Sequence, residues 1–141
     1  MRLGYAVGPR ALIARMRPYS SGMSVNAVVK WGGAAALKDV AAQEQVKRDT
    51  ARIRRKTTAE LESLGFNVIP SEANFFMVNL RRQAGPAIEE FRKRGILVGR
   101  LFPPMLEHLR VSVGTADEMN RFMAAFKEIF PPGKPAPPKA G

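Results

Sequence analysis

The chain has 141 residues, 45% hydrophobic and 25% charged, with 23 Lys and Arg against 12 Asp and Glu, a net charge of +11. This is globular rather than disordered composition, and its length suits one ordinary domain able to bury a core. With no cysteine and a single histidine, His108, disulfides and thiolate metal sites are excluded and no metal centre is expected.

Leu3 to Val7 reads as a short buried strand closed by Gly8-Pro9. Pro9 suits the first turn of a helix carrying Leu12, Ile13 and Met16 on one face, and Pro18 ends it. A loop follows. Val25 to Leu37 is rich in small residues, and Gly32, Gly33 and three alanines predict a helix packed closely on several sides, with Trp31 in the core. From Asp39 a long helix is predicted to Leu64, with Val46, Thr50, Ile53, Thr57, Leu61 and Leu64 at spacings of three and four and Gly65 as its C-cap.

The period then changes. FNVIPSEANFFMVNL reads as two strands around a Pro-Ser-Glu-Ala turn, the second from Asn74 to Leu80. Gly85-Pro86 opens a helix with Ile88 and Phe91 facing inward, and Gly95 stops it. ILVGR reads as a short strand, LFPPMLEH as a loop, and LRVSVG as a strand. In that last strand Leu109, Val111 and Val113 share one face, which puts Arg110 and Ser112 on the other. Thr115 and Glu118 form a capping box for a helix striped with Met119, Phe122, Met123, Phe126, Ile129 and Phe130. The Pro-rich residues 132–141 have nothing to bury and are expected to be disordered. The expected architecture is α+β, with helices on one face of a mostly antiparallel sheet.

No run approaches the ~18 consecutive apolar residues of a membrane span. No secretory signal is evident, and a cytoplasmic location is expected. The basic cluster Lys47 to Lys56 holds six positive residues and one negative. A solvated helix face explains it, because the stacking aromatics or reading helix of a nucleic-acid patch are missing from the segment. Two arginines behave differently. Arg2 and Arg110 each lie within an apolar run, where a bare guanidinium is costly to bury unless paired. A salt bridge or an edge position accounts for either; so does bidentate recognition of phosphate or carboxylate. Asn74 at a strand start fits a turn or a ligand contact, while a lone His108 in a loop is read as incidental. No nucleophile-base pair, Gly-rich phosphate loop or supported carboxylate pair is present.

Taken in order, MRLGYAVG, SEANFFMVNL and LRVSVGTADEMNRFMAAFKEIF resemble the C-terminal part of class I/II, fold-type-I aminotransferases that use pyridoxal phosphate, in particular the histidinol-phosphate aminotransferase branch. The resemblance covers residues 1–131. It implies that residues 1–39 are a remnant of the large cofactor-binding domain and residues 40–131 the small C-terminal domain. It places Arg2 on the cofactor phosphate and Arg110 on the substrate α-carboxylate, with Asn74 and Arg100 near the substrate. The Schiff-base lysine of the family would stand upstream of Met1, so no catalytic residue is assigned within the chain. The expectation is therefore a fragment, inactive alone, of a homodimeric enzyme that moves an amino group between an amino acid and a 2-oxo acid. Histidinol phosphate or an aromatic amino acid is the candidate donor. A decarboxylase of amino-acid phosphates shares the fold and the arginines and is the alternative within the cofactor class. The alternative outside it is a free-standing basic nucleic-acid-binding module, whose affinity would fall steeply with salt.

Overall fold

The computed structural model describes residues 3–20 and 25–131. Arg2 and the tail from residue 132 onward, both singled out in the sequence, lie outside the described residues. Backbone contacts divide the chain into two compact units, Met1–Val46 and Lys47–Gly141.

The first unit contains α1 (Arg10–Met16), a 3-10 turn (Arg17–Tyr19), α2 (Ala27–Lys38) and the start of α3 (Val40–Ser63). Local signals set these helices. Asn26 caps α2 by accepting from the Val28 amide, and Asp39 caps α3 through the Ala42 amide. Packing is another matter. Leu3 to Val7 forms no strand, and Leu3, Tyr5 and Val7 are exposed. A strand needs a neighbour for its amides and carbonyls, and no described strand lies in this unit. Neither α1 nor α2 buries a residue, and Trp31, expected in the core, is 73% exposed. One expectation for the small residues does hold: the Leu3 side chain lies where a Cβ on Gly33 would stand.

The second unit has a true core. Strands β1 (Asn67–Ile69), β2 (Phe75–Asn79) and β3 (His108–Ser112) form an antiparallel sheet in that order. Alternation sends Phe76 and Val78 of β2, with Leu109 and Val111 of β3, to one side, where all four are buried. They meet Ile53, Thr57 and Leu61 of α3, Phe91 of α4 (Ala84–Lys93), and Met119, Phe122, Met123 and Phe126 of α5 (Ala116–Ile129). Gly65 and Gly95 take positive φ to end α3 and α4, as their places in the sequence predict. ILVGR is not a strand: the one main-chain bond from this segment to β3 runs from the Gly99 amide to the Arg110 carbonyl. Between Gly95–Val98 and β3 lies a groove of about 380 Å³ lined by Ile96, Val98, Val113 and Phe122. Among the described residues, no helix is long and apolar enough to cross a membrane.

The capping box of α5 is complete. Thr115 Oγ1 accepts from the Glu118 amide, and the Glu118 carboxylate accepts from the Thr115 amide at 2.7 Å. That backbone donor, helped by the Thr115 hydroxyl, holds the Glu118 carboxyl below its ordinary value. A depressed folded pKa means the cap's charge-dependent contribution is full above the unfolded value, ~4.3 for glutamate, and is lost as pH falls through the folded value. Thr115→Ala is expected to cost about 1 kcal/mol in urea unfolding at neutral pH. Glu118→Gln should flatten the acid limb of the unfolding midpoint against pH. A midpoint that still falls as steeply would remove Glu118 from that role.

Candidate functional site

One face of the sheet packs on helices, and the other carries the unusual side chains. Arg110 pairs with Met77 across β2–β3, and His108 pairs with Asn79. By strand alternation Phe75, Met77, Asn79, His108, Arg110 and Ser112 share the face opposite the core. His108, read as a loop residue, is the first residue of β3. Its Nδ1 is buried without a hydrogen-bond partner.

Arg110 is half-buried and has no carboxylate partner among the described residues. Its guanidinium lies 4.1 Å from the centre of the Phe75 ring and 5.3 Å from that of Phe102. Phe75 is the diagonal cross-strand neighbour of Arg110, the position from which an aromatic ring can reach it. Such cation–π contacts contribute roughly 0.5–2 kcal/mol each and orient the guanidinium plane. The Arg110 Nε is buried and donates to nothing in the protein. An unpaired guanidinium held against two rings is an anion site in want of its anion.

Arg100 approaches the same ring. Its guanidinium lies 4.4 Å from the Phe102 centre, with Nη1 donating to the Leu101 carbonyl. The turn carrying Phe102 is closed by the Met105 amide on the Phe102 carbonyl at 2.7 Å. The structure thus brings Arg100 and Arg110 to one aromatic ring.

Asn74 stands one residue before β2, and its side chain is exposed. Its carbonyl accepts from the Val113 amide at 2.8 Å, which extends the β2–β3 ladder toward the open face. The turn behind it is tightly determined. Ser71 Oγ donates to the Phe75 carbonyl and accepts from the Ala73 amide. From α3, Arg54 Nη1 donates to the Ala73 carbonyl at 2.7 Å, and Nη2 meets the Glu72 carboxylate. Arg54 corrects one expectation: within the cluster read as a solvated face, it is only 5% exposed. Several other cations are paired along helices, Arg92 with Glu89 and Lys93 and Arg94 with Glu90.

Phe75, Phe102, Gly99 and Arg54 were not singled out by sequence reasoning. The doubled Phe75-Phe76 did hold a signal, because adjacent strand residues face opposite ways and one ring had to face the open side. Phe102 sits in a loop, where no periodicity exists to read. No cluster of potential metal-binding side chains occurs among the described residues.

A family model for aminotransferase class I and II matches residues 1–126. A histidinol-phosphate aminotransferase of Nitratidesulfovibrio vulgaris is 39% identical over 132 residues, covering 93% of this chain and 35% of its own length. Among solved structures, a candidate histidinol-phosphate aminotransferase from Erwinia carotovora atroseptica superimposes with a TM-score of 0.73 at 29% identity, over 85% of this chain and 34% of that one. The histidinol-phosphate aminotransferase of Sinorhizobium meliloti, solved in complex with pyridoxal-5'-phosphate, gives a TM-score of 0.60 at 26% identity, over 67% of this chain and 27% of that one. The chain spans little more than a third of the length of the curated relatives it matches.

Proposed function

Since the chain belongs to the class I and II aminotransferase family, we propose that it forms the substrate-carboxylate side of a pyridoxal-phosphate-dependent transaminase. The observation that carries the reading is Arg110, half-buried against Phe75 and Phe102 with no acid of its own. A guanidinium fork matches the two oxygens of an α-carboxylate, and the rings beside it keep the local dielectric low so that the ion pair is strengthened. Because both the amino acid and the 2-oxo acid carry that carboxylate, one arginine serves both half-reactions.

Arg100, across Phe102, supplies a second cation for a second anionic group on the substrate. That fits a phosphate ester such as histidinol phosphate, or a dicarboxylate. Asn74 would contact the substrate from the edge of β2, held by the Ser71 and Arg54 bonds behind it. Arg2 would meet the cofactor phosphate. The described residues fit the substrate rather than the cofactor ring, since the arginine left without an acid faces an α-carboxylate in this reading. When bound, pyridoxal phosphate supplies the electron sink that makes the substrate Cα–H acidic. No lysine of the chain stands in a Ser-Lys sequence, so we assign none of them the proton transfer at Cα. A homodimer is the expected assembly, and the exposed Leu12, Tyr19, Val28 and Trp31 are consistent with a surface that is covered in it.

The test is a chimera in which this chain replaces the matching C-terminal third of the N. vulgaris relative. It is expected to transfer an amino group from an amino acid to a 2-oxo acid in the presence of pyridoxal phosphate, while the 141-residue chain alone does not. A chimera that folds and binds the cofactor, yet releases CO₂ instead of transferring the amino group, would shift the reading to the decarboxylase.

A further inference from the structure

Gly99 occupies the point where the segment after α4 touches β3. A Cβ built on it would lie 2.8 Å from Arg110 Cβ, 2.9 Å from the Arg110 carbonyl oxygen and 3.2 Å from Arg110 Cγ. None of these atoms is the free end of a flexible side chain. Arg110 Cβ and O are fixed by the β2–β3 register, and the Gly99 amide bonds that same carbonyl at 2.9 Å. The backbone of Gly99 is outside the left-handed region that favours glycine. The requirement here is close approach, not φ.

We infer that Gly99 is a positioning residue for the carboxylate grip: its bare Cα lets the stem of Arg110 lie flat against residue 99 and so sets the direction in which the guanidinium leaves β3. Three observations meet at this contact. Downstream of the stem, the Arg110 head stacks on Phe75 and Phe102. The residue following Gly99, Arg100, places its own head on Phe102. Beyond Gly99 the segment departs from β3 and opens the groove beside Ile96 and Val98, so no other bond of that segment to the strand compensates for its loss. A methyl at position 99 must push Arg110 outward or lift the segment from β3, and either movement carries the guanidinium off the rings.

The inference rests on Arg110 binding the substrate carboxylate, and its tests separate the two. In the chimera, Gly99→Ala is expected to raise KM for both amino acid and 2-oxo acid by roughly 10- to 100-fold, the cost of misplacing a binding group by about 1 Å, with kcat changed far less. The double variant Gly99→Ala, Arg110→Ala should be no worse than Arg110→Ala alone. Additive effects, or a KM unmoved by Gly99→Ala while Arg110→Ala raises it, would overturn the inference. In the unsubstituted 141-residue chain, nuclear Overhauser contacts are expected between the Gly99 Hα and Arg110 Hβ protons, along with a ring-current shift of the Arg110 Nε–Hε signal. Gly99→Ala should abolish that shift. Absence of the contacts in the unsubstituted chain overturns the inference whatever the kinetics, and needs no variant to fold. An Arg110→Ala variant with unaltered KM would instead remove the carboxylate reading, leaving the spectroscopic result to decide on Gly99.

Discussion

Arg110→Ala in the chimera is expected to raise KM for the amino acid and the 2-oxo acid alike, by roughly 30- to 700-fold. The range follows from the loss of a charge-assisted, two-pronged contact worth about 2–4 kcal/mol, at 1.4 kcal/mol per factor of ten. The effect should fall on both substrates because the carboxylate is what they share. Arg110→Lys is expected to recover only part of it, since an ammonium keeps the charge but loses the planar fork and its fit against the Phe75 ring. Stability should change little or improve, because the guanidinium has no acid to leave behind and its Nε is buried without a partner. Steady-state kinetics with urea unfolding on the same preparations check both halves. Unaltered KM for both substrates would take Arg110 out of the carboxylate role, and a large loss of stability would make it a structural residue.

The sequence made the second unit readable because that unit satisfies itself. The stripe from Ile53 to Leu61, the alternation around Leu109 and Val111, and the Thr115–Glu118 box all describe contacts made within residues 47–131, and each appears in the structure. The first unit carried equally strong apolar signals with a different outcome. Leu3, Tyr5, Val7 and Trp31 are exposed, although their pattern is that of residues meant for burial. Periodicity reports what a segment is suited to pack against, not whether that surface lies in the same stretch of chain. The site divided in a similar way. Strand alternation sufficed to put Arg110 on the face away from Leu109. The rings beneath its guanidinium could not be reached that way, because Phe102 belongs to a loop and Phe75 is brought in by register between strands far apart in sequence. Arg54 was hidden for the opposite reason. It sits in a run of cations, and only the fold shows that one of them turns inward to hold the Ala73 carbonyl.

Phe126→Ala is expected to be the most destabilising single replacement among these residues, at about 3–5 kcal/mol. Phe126 is fully buried, and its ring meets Phe66 edge-on at 4.9 Å and stacks with Phe130 at 4.6 Å. It also lies 5.7 Å from Phe122 and 6.3 Å from Phe91, so it joins α5 to α4 and to the end of α3 through one aromatic cluster. Truncation loses the apolar burial and leaves a void that rings cannot fill by small rotamer changes, unlike aliphatic side chains. Phe126→Leu should cost much less, because it keeps most of the volume. The measurement is the urea midpoint of the 141-residue chain, with Arg121→Ala on the exposed face of the same helix as the reference. A Phe126→Ala midpoint close to that of Arg121→Ala would mean that the α5 stripe does not hold the unit together. The two largest effects should therefore separate cleanly. Leu109 and Val111 bind β3 to this core while Arg110 between them points away from it, so the strand that Phe126 helps to stabilise carries its chemistry on the side where stability does not depend on it.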